Sequence, residues 1–356
     1  MPYDRRAVRR LLSLLLVALP IAVASRLLHW PEWATFAAAA VSLLPLAGWI
    51  GRATEQAAAR MGTGLGGLMN ATFGNAAELI LTILALRAGL VDVVKASLTG
   101  AIIGNTLLVL GLSAVVGGLR HGTQKFPVGP TGRHAAMMIL AVSGMAMPAV
   151  FATVERQAFV REEVSVGVSI LLLLTYAAYI YFSYFSKHRE PREGVDHGGS
   201  AAGKWSLRRV FLVLGASVVG TVVASELLVG SIEAVSRDLG LSRFFIGLIV
   251  IPILGNVAEN YSAIVFAGRN KMDLALSIAA NSSTQIAVFV APLLVILSLW
   301  IRPMDLIFQP IELVILFASS AIFAYISLDG ETNWLEGIQL LSLYLIAAVA
   351  FFFLPG

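Results

Sequence analysis

The chain has 356 residues, 58% hydrophobic and only 13% charged, with a mean hydropathy of +0.84. These values lie outside the range of soluble domains and describe a polytopic membrane protein. The absence of cysteine excludes disulfides, thiolate metal sites and cysteine catalysis, and the net charge of +4 calls for no nucleic-acid partner because topology accounts for where the basic residues sit.

A helix needs about 20 apolar residues to cross about 30 Å of hydrocarbon. About eleven stretches qualify, near residues 11–28, 33–50, 65–88, 93–119, 134–153, 164–186, 209–234, 241–267, 273–300, 306–327 and 334–354. If the amino terminus is cytoplasmic, 17 of the 25 Lys and Arg fall on the cytoplasmic side, including Arg5, Arg6, Arg9 and Arg10 at the start. The expected topology is therefore amino terminus in and carboxyl terminus out.

The first segment reads as an uncleaved anchoring helix, with Arg26 snorkelling to the interface. The third carries Gly74-Asn75-Ala76-Ala77-Glu78 inside an apolar run. Asn75 and Glu78 are three apart and share a helix face. Small residues around them allow close helix approach, or a break that frees backbone carbonyls where a cavity is lined. A carboxylate at this depth costs about 2.5 to 3.5 kcal/mol on insertion scales, so it implies a partner or a task. The fourth segment adds Asn105 among aliphatics.

Residues 187–208 are rich in charge, Gly and Ser, and read as a cytoplasmic linker. Beyond them the pattern returns. Gly255-Asn256-Val257-Ala258-Glu259 echoes the first motif, and Asn281-Ser282-Ser283-Thr284-Gln285 follows. Setting Glu259 on Glu78 brings Ser282 close to Asn105. The expected architecture is an all-α membrane protein of about eleven transmembrane helices: a first helix at 1–30, a five-helix repeat at 31–186, the linker, and a second five-helix repeat at 209–356. An odd number of helices per repeat inverts the copies and places a substrate site at the midplane between them.

Two carboxylates with amides and freed carbonyls suit a hard cation. Calcium tolerates such irregular oxygen sets, and the lack of His and Cys in the motifs argues against zinc or copper. The same pair, when empty, favours proton uptake through like-charge repulsion and desolvation. Occupation by either a cation or protons is the basis of antiport.

These residues resemble the CAX-type calcium/proton exchangers of the calcium/cation antiporter superfamily. The resemblance rests on the two Gly-Asn-x-Ala-Glu motifs, Ser225-Glu226-Leu227-Leu228, Asn270-Lys271-Met272-Asp273, Ser282-Ser283-Thr284-Gln285 and Asp329-Gly330-Glu331-Thr332-Asn333, and it spans nearly the whole chain. It implies a secondary antiporter, not an enzyme, that exports cytosolic Ca2+ in exchange for H+. Glu78 and Glu259 are implied as metal ligands and proton carriers, and Asn75 and Asn256 as supporting metal ligands. Gly74, Gly255, Asn105, Ser282, Ser283 and Gln285 are implied to line the site. The chain departs from the pattern at Asn260, where many members have His, and at Asn281, where many have Gly. No cofactor is implied, since Ca2+ is the substrate. The expected partners are Ca2+, H+ and the lipid bilayer, with a homo-oligomer left open, in the plasma membrane of a bacterium or archaeon. Na+/Ca2+ or Mn2+/H+ exchange on the same fold is the alternative.

Overall fold

The computed structural model describes residues 14–155, 157–185 and 205–354. The amino-terminal arginines and residues 187–204 of the expected linker lie outside them, as do the side chains of 61–68, 70 and 71.

The described residues form helices α1 (Ala18–Leu27), α2 (Glu32–Phe73), α3 (Ala76–Arg87), α4 (Val91–Ile103), α5 (Leu110–His121), α6 (Val128–Phe151), α7 (Ala158–Phe185) and α8 (Leu207–Leu239). They continue as α9 (Arg243–Phe245), α10 (Ile251–Gly255), α11 (Val257–Ala267), α12 (Met272–Gln285), α13 (Ala291–Ile301), α14 (Pro310–Asp329) and α15 (Trp334–Phe352). Turns of π-helix at Gly104–Val109, Ile246–Val250 and Ile286–Val290 join α4 to α5, α9 to α10 and α12 to α13.

Among the described residues eight helices are long and apolar enough to cross a membrane, or nine if the bent pair Arg243–Gly255 and Glu259–Ala267 is one span. This differs from the eleven expected in two places. The segment near 11–28 holds only the ten-residue α1 among described residues, and the segment near 65–88 is broken in its middle. Its first part continues the helical stretch that starts at Glu32. That stretch is strongly bent. Leu43 lines the same cavity as Glu78, yet thirty residues of straight helix would separate Leu43 from Phe73 by about 45 Å.

The edges of the bundle are marked by aromatic and charged pairs. Trp49 and Trp205 lie 6.2 Å apart, with Arg52 over the first ring and Arg209 over the second. Trp30 and Trp33 are exposed toward the other edge, where Arg26 pairs with Glu32 instead of only snorkelling, and Ser231 donates to the same carboxylate. Trp33 and Trp49 are 16 residues apart, about 24 Å of helix, close to the hydrocarbon thickness. A two-residue antiparallel ribbon, Gln124–Lys125 on Glu331–Thr332, ties the loop after α5 to the loop before α15.

Long α8 packs along α2, α6 along α14, and α5 along α15. Small residues allow the tightest crossings. A methyl group added at Gly100 of α4 would sit 1.8 Å from the Leu248 carbonyl oxygen, so α4 and the Ile246–Val250 turn meet backbone to backbone. That crossing brings the wall of the first motif against the element that leads into the second.

Candidate cation site

Both motifs break their helices in the same way. Asn75, between α2 and α3, has φ −100° and ψ 20°; Asn256, between α10 and α11, has φ −104° and ψ 6°. The second pair of half-helices bends by 64°. A glycine precedes each Asn, and each Asn becomes the N-cap of the helix that follows. Glu78 and Glu259 then fall in the first turn, where the helix dipole favours negative charge. Such broken helices at membrane depth are the usual construction of an ion site.

The two breaks meet. A Cβ at Gly255 would lie 3.8 Å from Glu78 Cγ, so the second motif's glycine packs on the first motif's carboxylate side chain. Glu78 and Glu259 are near enough for their charges to repel, and Asn256 faces Glu78. Asn256 Nδ2 and Glu78 Oε1 are both shut off from solvent and neither makes a hydrogen bond. A buried donor and a buried acceptor left open cost about 1–3 kcal/mol each, which marks the place a cation, a proton or water would fill. Beside them is a cavity of about 20 Å³, roughly the room for one water, lined in part by Glu78, Thr82, Ser97, Ala101, Pro252 and Gly255.

A second layer of polar groups spans the two halves. Asn75 Nδ2 donates to Gln285 Oε1 (2.6 Å), Asn105 Nδ2 to Ser282 Oγ (3.0 Å), and Ser283 Oγ to the Ile102 carbonyl (3.4 Å). Ser282 Oγ accepts from Asn105 and lies beside Glu259. Asn75, Asn105, Asn256, Ser282, Ser283 and Gln285 are all buried. The residues singled out in the sequence thus converge on one place, with Gly74 at the first break.

Sequence reasoning missed several neighbours. Thr82 and Ser97 line the cavity, and Thr82 Oγ1 bonds the Glu78 carbonyl. Thr284 is buried with an unbonded hydroxyl. Thr82 is one helical turn after Glu78, a spacing that could have flagged it; nothing local distinguishes Ser97. A further carboxylate, Glu312, is buried at the start of α14 and accepts from Thr99 Oγ1 (2.8 Å) and from the Gln309 backbone (2.8 Å), while nearby Lys95 pairs with Asp305. Among the described residues no group of three or more His, Asp and Glu is placed to hold a metal, so the glutamate pair is the acidic content of the site.

A profile for a family described as sodium/calcium exchanger protein matches residues 31–185 and 209–353. The chain is 42% identical over 363 residues to the Ca(2+)/H(+) antiporter of Aphanothece halophytica, covering 96% of each sequence. It is 40% identical over 346 residues to the Ca(2+)/H(+) antiporter ChaA of Bacillus subtilis, covering 96% of this chain and 98% of the other. The solved structure of native YfkE matches with a TM-score of 0.83 and 39% identity, covering 96% of this chain and 100% of that one.

Proposed function

Because the chain belongs to the sodium/calcium exchanger protein family, we propose that it is a secondary active antiporter that exports cytosolic Ca2+ in exchange for H+. It is a multi-pass membrane transporter, not an enzyme. The observation that carries the reading is the meeting of two matched half-helix breaks, with Gly255 against Glu78 and Glu259 nearby. The names of its relatives favour protons over sodium as the coupling ion.

In this reading Ca2+ takes oxygens from Glu78 and Glu259, and the Asn75 and Asn256 side chains supply or orient further ligands. A divalent cation neutralises the pair. Without it the pair is charged and desolvated, so protons occupy it instead. A carrier that crosses only when its charge is balanced couples the two fluxes. Alternating access would come from the two five-helix repeats, 31–186 and 209–356, moving against each other around the site, and the two matched blocks of the family profile support that division. The placement is the plasma membrane of a bacterium or archaeon with the amino terminus cytoplasmic. The bacterial homes of close relatives and the basic residues near Trp49 and Trp205 support it.

The test is reconstitution in lipid vesicles with an imposed proton gradient, recording Ca2+ flux beside a trial with a sodium gradient and one with Mn2+ in place of Ca2+. Ca2+ movement driven by protons alone is the expected result. Movement driven only by sodium overturns the coupling ion, and absence of divalent flux under every gradient overturns the function.

A further inference from the structure

The two motif asparagines have matching backbones but different side-chain settings. Asn75 donates to Gln285 Oε1 at 2.6 Å, and Gln285 Nε2 donates in turn to Asn281 Oδ1 at 3.1 Å, one helical turn back on α12. Asn256, its counterpart, has a buried amide nitrogen with no partner. If Ser282 corresponds to Asn105, the position corresponding to Gln285 is Leu108, which offers no hydrogen-bonding group.

A chain of three amides has a direction. Asn281 accepts from Gln285, so the Gln285 amide nitrogen is committed and its carbonyl oxygen turns toward Asn75. That oxygen takes the Asn75 amide hydrogen, which leaves the Asn75 carbonyl oxygen as the end of the chain. A carbonyl oxygen is the atom a hard cation accepts from an amide, and an NH2 group in its place would repel it. Without Asn281 the Gln285–Asn75 pair can reverse together, the Gln285 NH2 donating to the Asn75 carbonyl oxygen and leaving the Asn75 NH2 as the free end. Asn256 lacks a corresponding amide relay and lies against Glu78 instead.

We propose that Asn281 is a positioning residue for cation binding: through Gln285 it holds Asn75 with its carbonyl oxygen turned to the cation. This rests on the function proposed above. It places a determinant of affinity on a side chain one helical turn from the residue that touches the motif, in the half of the chain opposite to the ligand it orients. A net hydrogen bond corresponds to about a 2- to 10-fold change in an equilibrium constant, which sets the expected effect.

The experiment compares wild type with Asn281→Ala, Gln285→Ala and the double variant. Ca2+ binding to the purified full chain is measured by calorimetry without a gradient, and proton-driven Ca2+ flux in vesicles is measured against Ca2+ concentration. Asn281→Ala should raise the half-saturating Ca2+ concentration by about 2- to 10-fold with the maximal rate per folded molecule retained, a split that a general loss of packing does not produce. The double variant should be no weaker than Gln285→Ala alone, because both act through one chain. Wild type that neither binds nor carries Ca2+ overturns this inference together with the functional reading. Normal exchange by wild type, with Asn281→Ala equal to it in half-saturation or with fully additive losses in the double variant, overturns this inference alone.

Discussion

Asn105 donates a 3.0 Å hydrogen bond to Ser282, joining the helical segment after the first motif to the one after the second. The contact ties the two segments together beside the motif glutamates, and Ser282 lies next to Glu259.

The first prediction concerns the carboxylates. Glu78→Gln and Glu259→Gln keep the side-chain shape and remove the charge that balances a divalent ion. Each should abolish proton-driven Ca2+ flux while leaving a monodisperse protein in detergent. Full exchange by either variant would remove that residue from the site.

Protons and Ca2+ compete for the same oxygens, so the sign of the pH effect follows. Cation binding requires deprotonated carboxylates, and apparent Ca2+ affinity should rise with pH and level off once both are free of protons. The slope of log affinity against pH counts protons displaced, about two at most from this pair. Calorimetry in buffers of differing ionisation heat measures that number directly, and a slope near zero across acidic and neutral pH would rule out competition.

Ser282→Ala removes the hydroxyl that faces Glu259 and leaves the buried Asn105 amide without its acceptor. The loss should be about 1–3 kcal/mol of stability, read as a lower melting temperature, together with weaker Ca2+ binding. Ser283→Ala, whose hydroxyl meets only the Ile102 carbonyl at 3.4 Å, should cost less on both readouts.

Gly100→Ala tests the crossing of α4 with the turn ahead of the second motif. The added methyl would lie 1.8 Å from the Leu248 carbonyl oxygen and 2.8 Å from Pro252 Cγ. The helices must separate, at a cost of about 1–3 kcal/mol by analogy with overpacked cores. Transport should fall with stability. Gly255→Ala, with Glu78 Cγ at 3.8 Å, is in ordinary contact range and should fold as well as wild type.

Thr99→Val probes the buried Glu312, which would keep only its bond from the Gln309 backbone nitrogen. Thermal stability should fall by about 1–3 kcal/mol. Half-saturation for Ca2+ should stay as in wild type, because Glu312 serves the junction of α4 and α14. A changed Ca2+ affinity at unchanged stability would instead tie Glu312 to the ion path.

What the sequence by itself determined is local or repetitive. Apolar runs specify membrane helices because the solvent there is lipid. A Gly-Asn pair followed three residues later by Glu specifies a helix break with a carboxylate in the next first turn, and its recurrence at Gly255 signals two related halves. Asn75, Asn105, Asn256, Ser282 and Gln285 stood out because amides and hydroxyls are conspicuous among aliphatics. Only the tertiary structure decided what depends on partners far along the chain. Leu43 and Glu78 share a cavity, which requires a bend in the long helical stretch that helical periodicity does not reveal. Asn75 meets Gln285 at a separation of 210 residues and Thr99 meets Glu312 at 213, so neither pair has a signature in sequence spacing. Nor does any local pattern distinguish Asn75 from Asn256: their dihedrals match, yet Asn75 is tied to Gln285 while the Asn256 amide nitrogen lacks a well-formed hydrogen bond.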